Sequence, residues 1–171
     1  MNSIQTKIDG FSIRYAEARD TKQILQFIRE LAEYEKRLHD VVATEELLHE
    51  WLFVKHKAEV IMGELHGESV GFALFFHNFS TFLGRAGIYL EDIYMKPEFR
   101  GRGFGKTMLE HLAKITVERG CGRLDWSCLD WNTPSIEFYL SLGAEQLSEW
   151  TGYRLTGETL IKLANEANPN V

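Results

Sequence analysis

The chain has 171 residues, 44% of them hydrophobic, with 25 acidic and 19 basic side chains and a formal net charge of −6. That length fits one domain running from residue 1 to 171, of a size that buries roughly 70% of its unfolded surface. The acidic balance argues against a nucleic-acid partner, which normally asks for a basic excess; it suits a cation-attracting site, or equally plain solubility.

The N-terminal MNSIQTKIDG lacks the basic-then-apolar pattern of a leader. FSIRYAEA, Phe11 to Ala18, alternates apolar and polar residues like a half-buried strand. Asp20 and Gln23 resemble a capping box, and Ile24, Ile28, Leu31 and Ala32 follow at helical spacing. A second, short helix is expected from Thr44 to about Phe53, with Thr44 as cap and Glu45 and Glu46 in its first turn. AEVIMGEL and ESVGFALFFHNF read as two strands joined by a turn at His66 and Gly67. VGFALFF is the longest apolar run and falls far short of the ~20 residues of a membrane span. GIYLEDIYM, Gly87 to Met95, is a further strand that Pro97 closes. Phe104, Met108, Leu109, Leu112 and Ala113 mark one face of a helix ending near Gly120. RLDWSCL is a strand. WNTPSIEFYLSLGA is a helix with Asn132 or Thr133 as cap, Pro134 in its first turn and Gly143 as its stop. GYRLTG is expected as a last short strand, and NEANPNV as a frayed tail. The order βαα, three strands, then αβαβ predicts an α/β or α+β layered fold around a mostly antiparallel sheet. Cys121 and Cys128 form no CxxC pair and read as reduced thiols of a cytoplasmic protein. The six histidines show no metal-ligand spacing, so no metal is expected.

RGRGFGKT, Arg100 to Thr107, lies between a strand and an amphipathic helix. Its GKT ending suggests a nucleotide loop, but that motif requires glycine where Arg100 stands. The dinucleotide fingerprint fails too, because Lys106 occupies its third glycine position. What remains is R-x-x-G-x-G, formed by Arg100, Gly103 and Gly105. Small residues let backbone N–H groups turn inward, and a helix N-terminus adds about half a positive charge, which together cradle a pyrophosphate. Taken alone, the loop is as readily a flexible glycine turn.

Three segments in order remove that ambiguity: IRELAEYEK (Ile28 to Lys36), YLEDIYMKPEFRGRGFG (Tyr89 to Gly105) and LDWNTPSIEFYLSLGA (Leu129 to Ala144). With them the chain resembles the GNAT superfamily of acetyl-CoA-dependent N-acetyltransferases, and within it the spermidine/spermine and thialysine acetyltransferases. The likeness runs from about Phe11 to Leu163. It implies a GNAT-like fold and acetyl transfer from acetyl-CoA to a primary amine of a small cationic metabolite, by direct attack in a ternary complex. It also implies a homodimer.

The chemistry names its own requirements. An alkylammonium with a pKa of about 10.4 must lose a proton before attack, and the leaving thiolate benefits from an acid. By resemblance, Glu91 binds the amine and accepts its proton, and Tyr139 is the acid. On spacing alone Tyr139 reads as a core aromatic, sharing a helix face with Ile136, Leu140 and Gly143. Glu91 and Asp92 are adjacent on a strand, so alternation sends them to opposite faces. An unpaired Glu in an apolar strand is costly, so Glu91 has either a function or an arginine partner. The resemblance further implies cofactor contacts at Ile93, Tyr94 and Met95, at Arg100, Gly101, Arg102, Gly103, Phe104, Gly105 and Lys106, and at Asn132, Thr133, Pro134 and Ser135. Substrate contacts would come from Tyr34, Glu35, Glu91, Asp92, Asp125, Trp126 and Ser127. Glu35 and Asp125 are equally read as solvated charges.

The pattern departs at Ser80, Phe82 and Thr151, where polyamine acetyltransferases carry further acids and a tryptophan. That weakens the case for a long polycation and puts a thialysine- or lysine-like amino acid, or a small diamine, on an equal footing with it. Two other classes stay open: acetylation of a protein N-terminus or lysine, and a module that binds acetyl-CoA without turnover.

Overall fold

The computed structural model describes residues 3–167. Residues through Ser127 form one compact unit and those from Cys128 onward a second. The first holds a six-stranded sheet in the order β1 (Ile4–Gln5), β2 (Phe11–Tyr15), β3 (Glu59–Leu65), β4 (Glu68–Ser80), β5 (Arg85–Met95), β6 (Leu124–Trp126). Neighbours are antiparallel except β5 and β6, which run parallel over Ile88–Leu90. The α+β class follows the expectation. β1 is an addition, too short for alternation to reveal.

Each sheet face has its own core. On one, Ile24 and Phe27 of α1 (Thr21–Tyr34) pack against Val60, Met62, Phe72 and Tyr94. The Phe27 ring lies 5.7 Å from Phe72 and 5.8 Å from Tyr94. On the other, α3 (Phe104–Glu118) stacks Phe104 on Phe11 at 4.3 Å. Gly63 makes this approach possible, because a Cβ there would stand 3.0 Å from the Phe11 ring and 3.3 Å from Met108 Sδ. Met108, Leu109 and Leu112 are buried as expected, but Ala113 is exposed and Ile115 takes its place. The helical repeat carries the buried stripe past Ala113 to the next turn.

One capping expectation is corrected. Asp20 and Gln23 do not cap α1. Asp20 instead accepts from Glu17 N at 2.7 Å and takes a two-pronged Arg14 at 2.7 and 2.9 Å. Glu64 binds the Arg14 Nε at 2.8 Å. A buried arginine outcompetes a helix end for that carboxylate. By contrast, Thr44 caps α2 (Glu45–His49) as expected, accepting from Leu47 N at 3.3 Å, and a wide turn over Glu50–Val54 carries the helix on. The β3–β4 turn sits at His66 and Gly67, both with positive φ (51° and 86°).

In the second unit, α4 (Thr133–Ser141) begins at Asn132 and Pro134, and Gly143 follows with φ of 85°. The strand expected at GYRLTG does not form: residues 151–156 are irregular and exposed, and α5 (Gly157–Glu166) starts at its final glycine. Alternation alone, without a neighbour to pair with, makes no strand. Asn165 and Glu166 of the expected frayed tail close α5, and its residues 168–171 lie outside the described ones.

Candidate active site

The doublet Glu91–Asp92 sits at an irregularity that sequence periodicity does not show. Across β4 and β5, Leu74 pairs with Asp92 and Phe75 with Leu90, so Glu91 is an inserted residue, a β-bulge. Alternation is broken there: Leu90 and Asp92, two apart, lie on opposite faces. Asp92 shares its face with Leu74, which packs on the α1 core. Strict alternation therefore does not govern the doublet, and the Glu91 charge acts on Asp92. Burial first, then the negative charges of Glu91 and Glu35, push the Asp92 carboxyl up to about 6. Glu35, the residue that closes α1, is raised by its own burial against the opposing pull of Arg37. Glu91 is exposed, and no arginine pairs with it among the described residues. The charges of Glu35, at the end of α1, and of Glu91 thus both act on Asp92, and no cation is among the groups that shift it.

Beyond Leu90 the second edge of β5 has no strand partner among the described residues, because β6 stops at Trp126. Ile93, Tyr94 and Met95 lie on that open stretch, with Tyr94 and Met95 buried. A 3-10 turn at Pro97–Phe99 leads into the glycine loop. Gly101 (φ 72°) and Gly103 (φ 85°) adopt backbone that other residues resist, and Gly103 opens α3. The first-turn N–H groups of Phe104, Gly105 and Lys106 meet no acceptor among the described residues, and no side chain caps them. Lys106 is exposed and has no ion pair among the described residues. Arg102 lies over the Phe104 ring at 4.9 Å. The Phe104 side chain belongs to the core, so only its backbone can serve a ligand. This uncapped turn, with a cation beside it, fits a pyrophosphate.

On β6, Asp125 is held by Arg123 Nε at 2.7 Å and Asn78 Nδ2 at 2.9 Å, while Ser127 Oγ lies 2.7 Å from the Tyr89 hydroxyl. Trp126 between them is half-buried. These residues line a polar stretch of the sheet, but Asp125 is already paired. Tyr34 ends α1 with its ring over Arg100. In the second unit, Tyr139 is half-buried with its ring 5.4 Å from Phe138. None of the α4 residues is buried, so the core reading of Tyr139 finds no support in its helix. Asn132 is buried; Thr133 and Pro134 are exposed, and Ser135 is half-buried. The described residues contain no His, Cys, Asp and Glu grouping able to hold a metal, and no helix long and apolar enough to cross a membrane.

Sequence reasoning missed the bulge and the convergence of Glu35 on Asp92. The one available signal was two adjacent acids inside an apolar strand.

Residues 22–144 match the model of the acetyltransferase (GNAT) family. The bovine (Bos taurus) thialysine N-epsilon-acetyltransferase is 40% identical over 166 residues, covering 90% of this chain and 97% of that protein. The L-ornithine N5-acetyltransferase NATA1 of Arabidopsis thaliana is 47% identical over 90 residues, covering 53% of this chain and 40% of that protein. Among solved structures, an integron cassette protein from V. cholerae superposes with a TM-score of 0.77 at 29% identity, covering 91% of this chain and 98% of that one. The chain belongs to the GNAT acetyltransferase family. As such it is an N-acetyltransferase, the class to which its full-length relatives belong.

Proposed function

We propose that the protein acetylates a primary amine of a small cationic metabolite, a thialysine-like amino acid or a short diamine, using acetyl-CoA. The observation that carries this reading is the trio Glu35, Glu91 and Asp92 at the β5 bulge. Two neighbouring acids oppose the charge of the buried Asp92, and an ammonium placed beside it relieves that repulsion. The thialysine and ornithine acetyltransferases named above are enzymes of amines of this kind.

Acetyl-CoA would supply the acetyl group as a thioester. The first turn of α3, Gly101, Gly103 and Lys106 suit its pyrophosphate, and the open β5 edge at Ile93–Met95 offers main-chain groups to an extended arm. Asn132 to Ser135 are assigned to the same ligand from the family pattern. Glu91 holds the incoming ammonium, as the resemblance implies, but the proton goes to Asp92 rather than to Glu91, because Asp92 titrates near 6, close to neutral pH, where a base is most effective. The freed nitrogen forms the new C–N bond as the C–S bond breaks. Tyr139, assigned from NTPSIEFY, gives its proton to the departing sulfur. Tyr139→Phe is expected to lower turnover by roughly 10²–10⁴-fold.

Thiol release from acetyl-CoA, measured over a panel of amines, tests the reading. Release should be fastest with thialysine, ornithine or short diamines. No release with any small primary amine would sink it. The same reading expects a homodimer, with the exposed Leu160, Ile161 and Leu163 of α5 as surface for the contact to cover. A monomer mass by light scattering would remove that part alone.

A further inference from the structure

Arg100 opens the R-x-x-G-x-G loop, and its place in the sequence suggests a phosphate ligand. Its contacts point elsewhere. Arg100 Nε donates to the carbonyl of Met95, the last residue of β5, at 2.9 Å. Its guanidinium lies 4.8 Å from the centre of the Tyr34 ring and 5.5 Å from that of Tyr94. Burial first, then the neighbouring Glu30 of α1, push the Tyr94 phenol up to about 12. Around these groups α1, the end of β5 and the Pro97–Phe99 turn enclose a cleft of about 550 Å³, with Glu30 and Glu98 on its walls. Arg100 bridges this cleft from the loop to α1.

Resting on the functional reading above, we propose that Arg100 is a positioning residue that couples the cofactor loop to the amine site through Tyr34. Three links make up the coupling. The loop carrying Arg100 runs directly into Gly101 and Gly103, which set the uncapped turn of α3. The Arg100 side chain fixes that loop to β5 just past the open edge. The residue after Tyr34 is Glu35, whose charge acts on Asp92. A phosphate that orders the loop thereby orders Tyr34 and Glu35, and an amine held at Glu35 favours the ordered loop in return. Arginine suits this task because one planar group donates an edge N–H and offers a face to an aromatic ring at once. Lysine keeps the charge and loses that combination.

Calorimetric titration of CoA into the intact protein, with and without thialysine, reads the coupling without turnover. In the wild type, thialysine should tighten CoA by about fivefold or more. In Arg100→Lys this factor should fall to near one, while CoA affinity without the amine changes by less than about threefold, since the charge remains. Tyr34→Leu, at a half-exposed ring whose loss threatens the core little, should do the same, and the double variant should go no further. Lys106→Ala should weaken CoA alone and keep the factor. The proposal is overturned if thialysine leaves wild-type CoA affinity unchanged. It is overturned equally if Arg100→Lys matches Lys106→Ala, which would make Arg100 a phosphate ligand. Thiol release with thialysine separates a failure of the coupling from a failure of the functional reading.

Discussion

Asp20 and Asp92 lie in the same compact unit, at opposite ends of the same chemistry. Burial works to raise both carboxyls. At Asp20 that tendency is outweighed by the Arg14 fork and the Glu17 N–H, so the group sits below the usual carboxylate range. At Asp92 nothing outweighs it, and two neighbouring acids add to it, so the group titrates near 6. The contrast separates a carboxylate held by partners within the fold from one whose neighbours oppose its charge, the one the proposed function gives to a ligand. The first has its partners within the fold. The second has no cation among the groups that shift it, and active sites characteristically hold such groups.

The largest expected effect tests the ligand side. Asp92→Asn should lower kcat/KM for the amine by roughly 10²–10⁴-fold while leaving CoA binding in place. The same substitution should stabilise the fold at pH 7 by up to about 3 kcal/mol, because it removes a buried charge that its neighbours oppose. A variant that loses both activity and stability would place Asp92 with Asp20 and break the distinction. Asp20→Asn should do the reverse. Removing one partner of a buried ion pair is destabilising by about 3–5 kcal/mol, and Glu64 still holding Arg14 puts the loss near the lower end. Urea melts should show that loss, and activity per folded molecule should be unchanged.

The sequence predicts most of the frame. The strands and helices of the first unit appear where periodicity, the Thr44 cap and the glycine stops put them. The glycine loop has the backbone its pattern demands, at Gly101 and Gly103. The failures share a cause: each depends on a partner distant in the chain. Asp20 was read as a cap because a local motif cannot see Arg14 choosing it. GYRLTG was read as a strand because alternation cannot supply a pairing edge. The bulge at Glu91 is invisible to alternation because it is defined only by the β4 register opposite it. Glu35, ambiguous by itself, became informative once its charge was found acting on Asp92.

A pH series sharpens the contrast through its sign. The folded Asp92 keeps its proton to about pH 6, whereas the unfolded chain releases it near 4. Its contribution to stability is therefore present in full below pH 4 and is lost as pH rises to about 6. Wild type and Asp92→Asn should melt together near pH 4 and diverge up to pH 6–7, the variant melting higher. Asp20 is depressed, so its contribution is full above pH 4 and is lost as acid protonates the folded carboxylate. Wild type and Asp20→Asn should differ most near neutrality and converge in acid. Parallel curves for either pair would remove the titration from the explanation.

The smallest expected effect belongs to Glu35. It acts on Asp92 through charge alone, and its own raised carboxyl shows partial burial rather than a fixed partner. Glu35→Gln takes one negative charge from the trio. Asp92 should then ionise at a lower pH, and the acidic limb of the kcat/KM profile should move down with it. The amine KM should rise about two- to fivefold, the range of a partly screened ion pair. Glu35→Asp, which keeps the charge on a shorter stem, should restore most of the profile and less of the KM. If Glu35→Gln raises the KM but leaves the acidic limb where it was, Glu35 touches the amine without tuning Asp92. The rise of Asp92 would then belong to burial and Glu91, and the ligand-ready group would be the bulge doublet on its own.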